Sequence, residues 1–241
     1  MVDDADWADL YNSSPEIYND LVDHEDYQGN LLPALLKMIG RVEDTPPEKA
    51  HVVEFGAGTG RVTGLLHPHV ARMVSADRCI AMMRVGKKSL QERGIQNWKH
   101  FIADSRQMPL PNGVADIAIQ GWSFLQIAVW QPESWKKQID RAIGELMRVL
   151  KPGGVAILIE TLGTGEISPS VPKEFMQAYQ YWEEYWRFLP SWIRTDYLFD
   201  SVEQAIKIVT PFFGEEMASC LVDQGAGIVL PECTGLWWRR A

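Results

Sequence analysis

Cysteine is scarce: Cys79, Cys220 and Cys233 are the only three in 241 residues. They are odd in number and widely spaced, which argues against a disulfide framework and a zinc site and suits a reducing compartment. Long apolar runs are missing as well, and none approaches the length that crosses a bilayer, so no membrane partner is expected. The first residues, Met1 to Asp9, are acidic and lack a positive segment followed by an apolar one, so no signal peptide is expected and a cytoplasmic setting is the default. Basic clusters are few, the densest being Lys87-Lys88 and Arg239-Arg240, in a chain of net charge -9. Such a molecule repels a phosphate backbone, and no nucleic-acid partner is expected. Internal repeats and low-complexity tracts are absent.

What is present is a 46% hydrophobic chain, long enough for one globular domain with a full core and a single active centre. From Val52 onward short β-rich runs alternate with longer helical patterns, the signature of a parallel sheet covered on both faces. Strands are predicted at His51 to Phe55, Arg72 to Asp77, Lys99 to Ala103, Val114 to Gln120 and Val155 to Thr161. Helices are predicted at Arg61 to Leu66, Ile80 to Arg93 and Glu133 to Leu150. The last carries an apolar stripe of Ile139, Ala142, Ile143, Leu146, Val149 and Leu150 and is ended by Lys151-Pro-Gly-Gly. Residues 1–50 read as a helical lid ending in the linker "EDTPPEKA", and residues 51–241 as the main domain. A helical cap is expected at about 162–191, then a strand from Trp192 to Phe199, a helix from Ser201 to Phe213 and a last strand from Thr234 to Arg239.

The chemistry concentrates in "VVEFGAGTGRV", where Gly56, Ala57, Gly58 and Gly60 form a tight strand-to-helix turn behind Glu54. Glycines there let backbone N–H groups and bare Cα atoms approach a ligand at the carboxyl edge of a sheet. Asp77 closes the second strand 21 residues after Gly56, close to the offset at which a carboxylate reaches ribose hydroxyls. Nicotinamide binders favour G-x-G-x-x-G, whereas the order here is E-x-G-x-G-x-G. Asp104 and Ser105 follow the third strand in "FIADSRQMPLPNG", Asp116 opens the fourth in "VADIAIQGWSF", and "LMRVLKPGG" precedes the fifth.

On these residues the chain, from about Val52 to Glu160, resembles the class I S-adenosylmethionine-dependent methyltransferases. The resemblance implies a doubly wound, seven-stranded, mostly parallel α/β sheet with a reversed last strand, its last two strands forming a reversed hairpin edge. It implies S-adenosyl-L-methionine as cofactor: Glu54 and the glycine loop around its amino-acid and sugar portions, Asp77 on both ribose hydroxyls with Arg78 beside it, and Asp104 facing the adenine amino group while Ser105 lines the ring. Two other readings of the acids stand beside it: Asp104 could cap a turn and Glu54 could pair with Arg61. Gln120, Gly121, Trp122 and Glu160 end the fourth and fifth strands, where an open sheet places its ligand. "QGWS" does not resemble the segment of amino-methylating nucleic-acid enzymes, and the strand-four and strand-five ends match neither protein arginine enzymes nor metal-dependent catechol enzymes. A small-molecule acceptor survives by elimination.

An aromatic stripe in "PKEFMQAYQYWEEYWRFLPSW", namely Phe175, Tyr179, Trp182, Trp186 and Leu189, sits where the family's insertion covers the acceptor pocket. Tyr179 and Trp182, with Glu160, are therefore acceptor-site candidates for an amine or planar molecule; core packing is the simpler reading of such a stripe. Among Trp7, Tyr11 and Tyr18, the best match to the family's lid tyrosine is Tyr18, which equally could pack the lid. Glu160, Tyr18 and His24 are the candidates for a catalytic group, although His24 also reads as an exposed helix residue among acids. His67-Pro68-His69 reads as a surface loop, with no metal site, and Cys79 and Cys233 read as packing residues. Two rival functions remain: a nicotinamide-dependent oxidoreductase, disfavoured by glycine spacing and Asp104, and a cofactor-binding partner subunit without chemistry.

Overall fold

In the computed structural model, which describes residues 11–95 and 98–241, strand β1 (His51–Phe55) lies in the interior of the main sheet. Its apolar side chains alternate between the two faces: Val52 joins Ile117 and Ile119 on one side, Val53 joins Ala118 on the other. β1 pairs in parallel with β2 (Arg72–Asp77) and β4 (Ala115–Gly121). Beyond β2 lies β3 (Trp98–Ile102), and beyond β4 lies β5 (Leu150–Thr164), both also parallel. The sheet is completed by β10 (Glu232–Arg240) and β6 (Leu189–Arg194), giving the order β3-β2-β1-β4-β5-β10-β6. β10 runs antiparallel to both of its neighbours.

One face of the sheet is covered by helices α2 (Leu31–Ile39) and α3 (Arg61–Leu66), whose Leu31, Leu35, Ile39, Val62 and Leu66 pack on Val52, Ile117 and Ile157. The opposite face carries α5 (Phe124–Trp130), α6 (Trp135–Val149) and α7 (Lys173–Glu184). The predicted stripe of α6 is buried along Ile139, Ala142, Ile143, Leu146 and Val149. Helix α4 (Ile80–Glu92) follows β2, and its Gly86 lies so close to the glycine loop that an added Cβ would sit 2.7 Å from the Thr59 carbonyl carbon.

Several expectations are corrected. The last two strands of the main sheet do pair antiparallel at its edge, but not as a tight hairpin: β10 alone is reversed, it lies inside the sheet, and residues 195–231 separate it from edge strand β6. The segment from Trp192 to Phe199 is two strands of two sheets, broken at Thr195 and Asp196. Asp196 is buried, bound to Arg194 and accepting the Glu232 backbone N–H, and this local polar knot turns the chain out of the main sheet. Beyond it β7 (Tyr197–Phe199), β8 (Val222–Asp223) and β9 (Ile228–Leu230) form a small antiparallel sheet, unforeseen in the sequence. It packs with α1 (Pro15–His24) and α8 (Val202–Phe213) around Leu21, Phe199, Ile208 and Phe212. Lys151-Pro-Gly-Gly lies at the start of β5, where the pairing with β4 shifts register.

Trp182 is fully buried and meets Trp237 edge-on at 5.4 Å, so its ring helps to join α7 to β10. Trp182→Ala is expected to lower unfolding free energy by about 3–5 kcal/mol, read as a lower midpoint in urea with an unchanged slope.

Candidate functional site

Beyond Phe55 the chain must turn sharply, and Gly56, Gly58 and Gly60 all adopt left-handed dihedrals, with φ of 68°, 53° and 85°. Two of them also make room. A Cβ on Gly56 would lie 2.4 Å from the Ser123 Cβ, and one on Gly60 2.7 Å from a Leu90 methyl. Gly58 meets only a Met82 methyl at 3.4 Å, so its requirement is the dihedral.

The acids fix this loop. At the end of β2, Asp77 accepts the Gly58 N–H at 2.8 Å with one oxygen and the Cys79 N–H at 2.7 Å with the other, joining two loops through one carboxylate. Each oxygen keeps a lone pair for a ligand. Burial raises the pKa of Asp77 against the pull of these amides. Glu54 is buried below the loop and accepts from the hydroxyls of Thr63 and Ser75. Burial pushes its pKa up to about 7. Arg61 pairs with Glu25 at 2.6 Å, so the alternative Glu54–Arg61 pair is not formed. Asp104 both caps a turn, accepting the Arg106 N–H at 2.8 Å, and is clamped by the Arg106 guanidinium, whose hydrogen bonds hold its carboxyl below the ordinary carboxylate range.

These groups line one crevice at the carboxyl edge of β1, β2 and β4. Its floor and near wall include Glu54, Gly56, Ala57, Gly58, Asp77, Arg78, Asp104 and Ser105. Gly121, Trp122 and Ser123 continue it after β4, and Trp122 is held at φ 50°, a costly conformation for an aromatic residue. Gln126, Ile127 and Trp130 of α5 form the far wall, and Tyr11 and Tyr18 close over it, with Gln126 donating to the Tyr11 hydroxyl at 3.0 Å.

Residues 52–154 match the family model described as a methyltransferase domain. The fold is that of a SAM-dependent methyltransferase from Aquifex aeolicus, at TM-score 0.53 and 15% identity over 99% of this chain and 98% of that one. Residues 52–154 thus carry a methyltransferase domain, set in a sheet of the class I methyltransferase fold. A demethylmenaquinone methyltransferase of Thermus thermophilus is 28% identical over 50% of this chain and 52% of its own, so the match spans about half the length of that relative. The [4+2]-cyclase SpnF shares the fold at TM-score 0.59 and 17% identity, over 96% of this chain and 94% of that one.

Within this methyltransferase domain some expected site residues lie off the crevice. Gly60 packs on Leu90, and Gln120 is fully buried beneath the loop, its Oε1 accepting from the Ser123 N–H and hydroxyl at 3.1 and 2.9 Å. Glu160, expected in the acceptor pocket, is buried under α5, where its Oε1 accepts the N–H groups of Phe124 and Leu125 at 3.0 and 3.2 Å. It thereby fixes the helix that supplies the far wall. Tyr179 and Trp182 are core residues, the former donating to the Thr161 carbonyl at 2.5 Å, and no residue of 162–191 lines the crevice. His24 stacks on Phe199 at 4.9 Å, with one ring nitrogen 2.7 Å from the Asp20 carbonyl and the other 3.3 Å from Gln204, away from the crevice. Trp7 lies outside the described residues. Sequence reasoning missed Arg61, Arg106, Gln126 and Trp130. Arg61 directly follows the glycine loop, a visible signal, whereas α5 was hidden by its shortness.

Burial pushes the pKa of Glu160 up to about 8, as it pushes Glu54 to about 7, while an unfolded glutamate titrates near 4.3. The native state therefore holds protons the unfolded chain has lost, and stability falls as pH rises from about 4.5 through about 8. Glu160→Gln is expected to remove its part of that slope, on the order of 3 kcal/mol between pH 5 and pH 8.5, measured by urea unfolding at both values.

Proposed function

We propose that the chain transfers the sulfonium methyl group of S-adenosyl-L-methionine to a nucleophile of a small-molecule acceptor by in-line displacement. The observation that carries this reading is the crevice in which a left-handed glycine loop is tied to the Asp77 carboxylate at the sheet's carboxyl edge. The residues fit the cofactor: Asp77 retains acceptor capacity for ribose hydroxyls, Asp104 and Ser105 would meet the adenine, and the buried Thr59 hydroxyl on the crevice has no partner of its own. The cofactor supplies an already activated methyl group, so the protein's work is alignment and exclusion of water. Tyr11 and Tyr18 suit that work, because burial raises the pKa of both phenols and keeps them neutral. No histidine lines the crevice among the described residues; the ionisable side chains on it are the carboxyl groups of Glu54, Asp77 and Asp104, the arginines Arg61, Arg78 and Arg106, the phenols of Tyr11 and Tyr18, and Cys79.

Several observations support a small molecule as acceptor and a cytoplasmic setting. The relatives include a demethylmenaquinone methyltransferase, the net charge of -9 disfavours nucleic acid, and no helix among the described residues is long and apolar enough to cross a membrane. Residues 11–50 act as a lid in this reading, since Tyr11 and Tyr18 close the crevice.

Asp77→Ala is expected to weaken S-adenosyl-L-methionine binding at least tenfold in titration calorimetry. Unchanged affinity would remove Asp77 from the site, and tight binding of reduced nicotinamide by the native chain would favour the oxidoreductase. Binding without turnover on any acceptor of a broad panel would instead indicate the partner-subunit role.

A further inference from the structure

Where the C-terminal end of α1 meets β7 and β10, two glutamate side chains, Glu25 and Glu232, are buried around the positive charge of Arg61. Glu25 holds the arginine: Arg61 Nη1 donates to its Oε2 at 2.6 Å, and the Thr195 hydroxyl donates to its Oε1 at 3.0 Å. Glu232, on β10, is 2% exposed and accepts at Oε1 from the Thr161 hydroxyl at 2.7 Å. Its Oε2 is buried with no hydrogen-bond partner. Arg61 Nη2 lacks a partner too, so the guanidinium does not bond Glu232. With both glutamates ionised the cluster would hold an extra negative charge away from water, which is costly.

The other ionisable groups around Glu232 do not balance that charge. Tyr179 of α7, Tyr197 of β7 and Cys233 beside it are kept neutral by burial. Asp196, which accepts the Glu232 N–H, is already paired with Arg194, and Glu160 on β5 is another acid. Burial and the Glu25 charge therefore outweigh the hydroxyls of Thr161 and Thr164, and the pKa of Glu232 is pushed up to about 8. Glu25 is the part of this cluster that can leave. It directly follows α1 and bridges Tyr197, while the N–H groups of Asp26 and Tyr27 donate to the Thr195 and Asp196 carbonyls, both at 3.3 Å. These contacts fasten the helix that carries Tyr18 over the crevice. An ionised Glu232 opposes that fastening twice, by its own desolvation and by repelling Glu25; a protonated one does neither.

We propose that α1 closes over the crevice with uptake of one proton from water by Glu232, which makes the lid a proton-linked latch. The proposal rests on residues 11–50 acting as a lid. When α1 lifts, Glu25 departs, water reaches Glu232, and its pKa falls back toward the ordinary glutamate value near 4.3. The closed form thus binds a proton that the lifted form has lost. Its advantage is complete below about pH 4.5, declines tenfold per pH unit above that, and is gone once pH has passed through about 8. Glu232 acts here on the lid and not on the reacting atoms: mild acidity holds the crevice shut, and alkaline solution lets it open.

The test follows amide hydrogen exchange of the full chain, without ligand, from pH 6 to pH 9, corrected for the intrinsic pH dependence of exchange. Amides of α1 report the lid, and those of β1 report global unfolding. Helix α1 is expected to exchange faster than β1, with an opening constant that rises roughly fiftyfold between pH 6 and pH 8 and levels off by about pH 9. In Glu232→Gln, whose carboxamide does not ionise, the opening constant is expected to stay within about twofold over the whole range. Glu25→Gln leaves Arg61 to Glu232 alone, so its rise is expected to level off at least one pH unit lower; this variant also decides the matter if Glu232→Gln does not fold. An α1 that opens by itself with no such pH dependence, or with one that Glu232→Gln retains, overturns the proposal and leaves the lid standing. An α1 that exchanges only as slowly as β1 never lifts alone, and then the lid reading and the proposal fall together.

Discussion

The crevice depends on one carboxylate. Asp77 reaches back from the end of β2 to the Gly58 amide and forward to the Cys79 amide, so the loop after β1 and the loop after β2 share an anchor. Without it the glycine loop would have freedom that glycine makes large, since three left-handed residues within five positions carry a high unfolded-state entropy. The packing around the loop works in the same direction. Ser123, Leu90 and Thr59 against Gly86 leave no space for the loop to relax, and the backbone amides are held where a ligand can use them.

A second layer of buried acids supports the first. Glu54 under the loop and Glu160 under α5 accept hydroxyls and amides and keep the two walls of the crevice in register. Burial raises both pKa values, so proton uptake relieves their desolvation. The walls are thus held by neutral or near-neutral hydrogen-bonding groups, leaving Asp77, Asp104 and the arginines to set the field inside.

The parallel half of the fold was legible because local rules agree there. β1, β2 and α6 fall within a residue or two of their expected spans, since apolar periodicity, the glycine turn and the acid at a strand end all point the same way. The second half was less legible. The aromatic stripe of α7 reads the same whether it faces a pocket or a core, and only the packing of Tyr179 and Trp182 on Trp237 decides for the core. Glu160 looked like a pocket residue from its place at a strand end, but α5 covers it, and a seven-residue helix leaves little periodic signal. The small sheet was invisible for a different reason: its strands have only two or three residues each.

The excursion between β6 and β10 leaves and returns at one point. Thr195 donates to the Glu232 carbonyl at 3.0 Å, and Asp196 accepts the Glu232 N–H at 2.9 Å, so the two stems of residues 195–231 are fastened side by side. A segment with adjoining ends can be lengthened, shortened or exchanged without disturbing the strands that flank it. That makes it a natural graft point, where variation during descent would reshape the roof over α1 while the cofactor cradle beneath stayed as it is.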